Sequence, residues 1–87
     1  MTDTQLLQEF EALAERLDIP VTYANLEGGD GGLCVVKGER RFILNRGPDV
    51  RTHVEIFARD FARLPLDDVY IRPIVRDRID AVRSTQE

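Results

Sequence analysis

Apolar residues recur along the first twenty positions at the spacing of a helix. Leu6, Phe10, Leu13 and Leu17 fall at i, i+4, i+7 and i+11, and Leu7 and Ala14 widen the stripe. Glu9, Glu11, Glu15 and Arg16 lie mostly off it. Thr2 and Gln5 have the spacing of a capping box, and Pro20 pushes its predecessor out of the α region, so the pattern predicts a helix over 3–18. A second stripe of Val50, Val54, Phe57, Ala58 and Phe61 predicts a helix over 50–64, with Asp49 as N-cap and Leu64-Pro65 as its end. Arg51, Glu55, Arg59 and Arg63 step along its outer face at i+4 intervals. Val75, Ile79 and Val82 support a third helix over 73–83 with Pro73 in its first turn, and residues 84–87 read as frayed.

Between the first two helices the period changes. Val21–Ala24 reads as a short strand, and 26–32 reads as a loop because of its four glycines. Leu33–Lys37 and Arg40–Asn45 flank Gly38-Glu39, a glycine-first pair suited to a type II′ hairpin turn. That turn sets Leu33 against Leu44, Val35 against Phe42 and Lys37 against Arg40. Cys34, Val36 and Ile43 then share the opposite sheet face. The expected fold class is α+β, a small antiparallel sheet of two or three strands packed with three helices in the order α-β-β-β-α-α. The expected core is Leu6, Phe10, Leu13, Leu17, Val35, Phe42, Leu44, Val54, Phe57, Phe61, Val75 and Ile79.

Length limits the chain to one domain, 1–87, with a modest core. A hydrophobic share of 43% is enough to fold and too much for a disordered tail. No apolar run approaches the roughly 18 residues of a membrane span, and no secretion signal is visible, so no membrane partner is expected. The single cysteine, Cys34, fits a reducing compartment, and a cytoplasmic location is expected. The net charge of −4 argues against nucleic acid as a partner. Charge is nonetheless uneven: residues 1–36 carry seven acids and one base, whereas residues 37–87 carry eleven bases and nine acids. Such asymmetry suits orientation of a protein partner or a symmetry mate.

Candidate chemistry is sparse. His53 is the only histidine, and a zinc site needs three or four ligands, so no metal or cofactor is expected. Cys34 sits among apolar neighbours, which favour the thiol over the reactive thiolate. The glycine loop leads into a strand and carries Glu27 and Asp30, unlike a phosphate cradle. Asp67 and Asp68 are adjacent and would point to opposite sides of a strand. Val69–Val75 is more apolar than a connection needs, and tyrosine beside arginine is typical of interface anchors. Val36, Ile43, Tyr70, Ile71 and Arg72 are therefore the candidate interaction surface.

Two stretches carry a resemblance. Gly31-Gly32-Leu33-Cys34-Val35-Val36-Lys37-Gly38 and Leu66-Asp67-Asp68-Val69-Tyr70-Ile71-Arg72-Pro73-Ile74-Val75-Arg76 look like a group of short bacterial proteins of uncharacterised function, over about residues 6–80. The resemblance implies a bacterial origin and a common fold, and no activity. A fainter one joins Phe42-Ile43-Leu44-Asn45 and the Ile56-Phe57-Ala58 helix, which resemble the core of minimal zincin-type metallopeptidases. There the helix would continue with His-Glu-x-x-His. This chain has Arg59-Asp60-Phe61-Ala62-Arg63, and arginine cannot ligate a metal. That resemblance implies a scaffold whose catalytic site is degenerate at Arg59, Asp60 and Arg63.

Three functional readings follow from the sequence. The first is a non-enzymatic module that binds an unknown protein partner or itself, as a homodimer. The second is an inactive zincin-like scaffold with a regulatory role. The third is a small enzyme using Cys34 or His53.

Overall fold

The computed structural model describes residues 1–85. Its elements follow the order α1 (Asp3–Arg16), β1 (Val21–Ala24), β2 (Gly31–Val36), β3 (Glu39–Asn45), α2 (Val50–Phe61) and α3 (Pro73–Thr85). Residues 84 and 85, expected to fray, continue α3, and residues 86 and 87 lie outside the described residues.

The helix ends have identifiable causes. Thr2 and Gln5 complete the capping box of α1 in both directions. At the other end Asp18 adopts φ 59°, with Ile19 N–H donating to the Ala14 carbonyl at 2.9 Å and Asp18 N–H to that of Glu15 at 3.0 Å. This is a Schellman motif, and it stops α1 at Arg16, before Pro20 acts. Asp49 caps α2, and the Thr52 N–H it accepts holds its carboxyl below the usual range. Helix α2 ends at Phe61 rather than residue 64. Arg83 of α3 donates to the Ala62 and Leu64 carbonyls at 3.1 Å each, closing off the α2 C-terminus.

The sheet is mixed, where an antiparallel one was expected. Strand order is β1-β3-β2, with β1 parallel to β3 and β2 antiparallel to it. The glycine-bearing loop carries the chain past the β3 position, so the hairpin returns its second strand between β1 and β2. Two strand spacings, about 10 Å, are within reach of that loop. The hairpin register also differs: Leu33 pairs with Phe42, Val35 with Arg40 and Val36 with Glu39. The turn is Lys37-Gly38, at φ 53° and 80°, and positive φ at both positions is the type I′ geometry that matches strand twist. Lys37 therefore has no Arg40 opposite it. The shift of two residues preserves the faces and moves Val35 beyond the helices, so Val35 is 66% exposed and not in the core.

All four phenylalanines meet between sheet and helices. Phe42 lies 4.7 Å from Phe57 and 5.2 Å from Phe61, and Phe10 lies 6.0 Å from each of those two. Leu6, Leu13, Ala14, Leu44, Val54, Val75 and Ile79 complete the buried cluster, with Leu17 half-buried at its margin. Helices α1 and α2 cover the sheet face that carries Phe42 and Leu44, while α3 packs on α1 and α2. None of the helices is long and apolar enough to cross a membrane, among the described residues.

Candidate functional site

The expected interaction residues do not form one surface. Val36 is 40% exposed and Ile43 half-buried on the outer sheet face, while Tyr70, 68% exposed, sits in the helical layer, its carbonyl accepting from Arg16 at 2.9 Å. Ile71 is buried in the core, so it is not available to a partner. Arg72 is paired with Glu9 of α1 at 2.7 Å. The Leu66–Ile71 crossing is thus split: Leu66 and Ile71 anchor it, and Tyr70 projects.

Cys34 and His53 are held apart. Cys34 faces Arg41 across the hairpin, and its Sγ approaches the Arg41 carbonyl at 3.4 Å. His53 is buried, its Nε2 donating to the Asn45 carbonyl at 2.7 Å and its ring edge-on to Tyr23. Arg41 and Asn45 are four residues apart on one strand, about 13 Å. No three His, Cys, Asp or Glu side chains converge as a metal site among the described residues.

Residues 59 to 63 cluster instead at the outer edge of the sheet. Asp60 is buried, and its carboxylate accepts the Leu33 N–H at 2.9 Å and Arg59 Nε at 3.1 Å. Leu33 belongs to a pair that makes no ladder bonds to β3, so this N–H would otherwise point outward from the edge strand. Of the two glycines beside it, Gly32 makes room for the carboxylate and Gly31 for the neighbouring strand. A Cβ on Gly32 would come within 2.6 Å of the Asp60 carboxylate, and one on Gly31, at φ +89°, would collide with the Ile43 carbonyl. A cleft of about 380 Å³ runs here past Cys34, Arg59 and Arg63, but Asp60 already engages the nearer arginine. Asp60 stands on the buried stripe of α2, four residues after Ile56, and an acid at such a position is the sequence signal for this contact.

The opposite edge is built differently. Phe42 N–H donates to the Pro20 carbonyl and Arg46 N–H to that of Ala24, so the even-numbered residues of β1 bond to β3. Val21 and Tyr23 therefore direct their backbone groups away from the sheet, and among the described residues only the Tyr23 carbonyl has a partner there, Arg46 Nε at 3.3 Å. Alongside runs a groove of about 510 Å³, lined by Ile19, Pro20 and Val21 on the strand side and by Glu11, Glu15 and Asp18 on the α1 side. Glu11 and Glu15 stand one turn apart on α1 and Asp18 follows its C-cap Leu17, and none of the three has an ion-pair partner among the described residues. Tyr23 donates its hydroxyl to Glu11, one of the lining acids. Burial, reinforced by that bond and by the negative charge of Glu11, pushes the phenol above its ordinary range.

This groove joins an open strand edge to a wall of carboxylates. Its acids were legible in the sequence as part of a solvated helix face; that β1 lies at an edge was not. Compared with family models, with curated proteins and with solved structures, the chain matches none.

Proposed function

We propose that this chain is a non-enzymatic protein-interaction module whose contact surface is the β1 edge and the groove beside α1. The observation that carries this reading is the coincidence of outward backbone groups at Val21, continued by the Tyr23 N–H, with a groove of about 510 Å³ that Val21 lines. A strand edge with free N–H and C=O groups is a template for another strand, and native proteins usually shield it. On β2 the outward Leu33 N–H is taken by Asp60, whereas the outward groups of Val21 on β1 face the groove and its acids.

The same geometry favours a different chain over a second copy. A two-fold pairing of β1 with itself brings Glu11, Glu15 and Asp18 towards their own counterparts, and like charges facing each other oppose association. The test is amide mapping by NMR against a library of random nine-residue peptides. Binders that shift Val21 and Tyr23 support the proposal. A library that yields no binder, or binders that shift only Val36 and Ile43, would overturn it.

A further inference from the structure

Resting on that reading, we infer that the β1 groove takes an extended basic segment of another protein as a fourth strand, with Lys or Arg at every second position. Three features of the groove define this occupant.

The first is backbone geometry. Only an extended chain can meet the outward N–H and C=O of Val21 and the N–H of Tyr23 in succession, because these groups repeat at strand spacing. The second is charge. Glu11, Glu15 and Asp18 form the helical wall, and no described cation is paired with any of them. An incoming basic side chain gains a carboxylate without breaking an existing ion pair. Glu11 still offers a free oxygen, since the Tyr23 hydroxyl uses only one.

The third is the match of two periods. Glu11 and Glu15 are one helical turn apart, about 6 Å along the axis. Alternate residues of a strand are about 6.6 Å apart and point to the same face. Helix α1 runs into β1 through a tight reversal, and the Tyr23–Glu11 bond places the upper acid beside the end of the strand. Basic side chains two residues apart on an added strand therefore meet Glu11 and Glu15 in turn. Adjacent basic residues cannot, since one of them faces the outer side of the sheet.

The shape of the site also sets the tolerance for the remaining positions. The outer face at this edge carries the exposed Thr22, so intervening residues meet solvent and need only favour an extended chain. Apolar contact is confined to Ile19, Pro20 and Val21 at the lower end. Specificity thus resides in charge spacing, and affinity should fall steeply with salt.

The experiment uses the full chain and fluorescent nine-residue peptides, read by anisotropy. The probe alternates arginine with threonine; the comparison peptides have the same composition with arginines contiguous, or glutamate for arginine. The alternating probe is expected to bind at least tenfold more tightly than either and to shift Val21 and Tyr23 amides. Glu15→Lys combined with Asp18→Lys, both at exposed positions, should lower its affinity at least tenfold while circular dichroism stays unchanged. Two N-methylated versions of the probe require no change in the protein. Methylation of one set of alternate amides should abolish binding, and methylation of the other set should not. Equal binding of all three peptides at Val21 and Tyr23 overturns the basic partner and leaves the β1 edge as the contact surface. Absence of shifts at Val21 and Tyr23 with any peptide, or a dimer formed through this edge, overturns both.

Discussion

Along β2 the outward Leu33 N–H is held by the buried carboxylate of Asp60, and Gly32 admits that carboxylate to the strand. Along β1 the outward groups of Val21 face a groove, and the carboxylates beside them, on α1, bond to no backbone. Both edges have acids within reach. The difference is where each acid stands: Asp60 is on the buried stripe of its helix and is consumed by the fold, whereas Glu15 and Asp18 are exposed and remain available. One side chain can thus take up a single outward N–H of an edge, Val35 of β2 keeping its own outward, and an edge beside unpaired charge is a better sign of a docking surface than exposed apolar residues scattered over two layers.

The largest expected effect is on the β2 side. Gly31→Val places a side chain against the Ile43 carbonyl at a positive φ and should cost roughly 3 kcal/mol or more, enough to unfold much of the population in a urea titration. A fully stable variant would show that Gly31 is not what fits β2 to β3. Asp60→Ala comes next. It strips Leu33 of its partner and should destabilise by about 1.5–3 kcal/mol. The Arg59 contact adds little, because that guanidinium is half exposed to solvent. The variant should also self-associate more readily through the β2 edge, where the Leu33 N–H joins that of Val35 as a free donor, seen as a concentration-dependent mass in sedimentation; a strictly monomeric, stable variant would erase the contrast between the edges.

The β1 side should respond more gently. Tyr23→Phe removes the bond to Glu11, about 1 kcal/mol. Because the Tyr23 phenol is raised in the folded state, its contribution is fully present below the unfolded value of about 10 and is lost as pH rises above it. The native protein should therefore lose stability above about pH 10, and Tyr23→Phe should flatten that part of the profile by removing one contributor. An identical alkaline limb in the variant would mean Tyr23 is not the group responsible. The smallest effect has the opposite sign. Asp18→Gly relieves a left-handed residue at the end of α1 and should raise stability by about 0.5–1 kcal/mol, while removing one acid from the groove. Thermal unfolding and probe binding on the same sample read both changes.

The helices were legible because each carries an apolar stripe long enough to show its period, and because Thr2, Asp49 and Pro73 mark their starts. Their ends were less so. Asp18 ends α1 through a backbone conformation that residue identity only weakly signals. The hairpin was visible, but Gly38 serves the second turn position rather than the first, and the two-residue shift carried Val35 out of the core. Strand order lay beyond the local pattern altogether. Whether β3 enters between β1 and β2 depends on how the long-range phenylalanine contacts are satisfied, and Phe42 must reach Phe57 and Phe61 at once. The candidate site inherits that gap: Glu11, Glu15 and Asp18 are readable as a line of acids, but only the topology puts an unpaired strand beside them.

Amide hydrogen exchange of the free protein, resolved by NMR, tests the asymmetry of the two edges most directly. Leu33, Val35, Val21 and Tyr23 all direct their N–H outward, and among the described residues only Leu33 has an acceptor. The account predicts that Leu33 exchanges at least about tenfold more slowly than the other three. Leu33 exchanging as fast as Val35, or Val21 and Tyr23 protected in the free monomer, would contradict it.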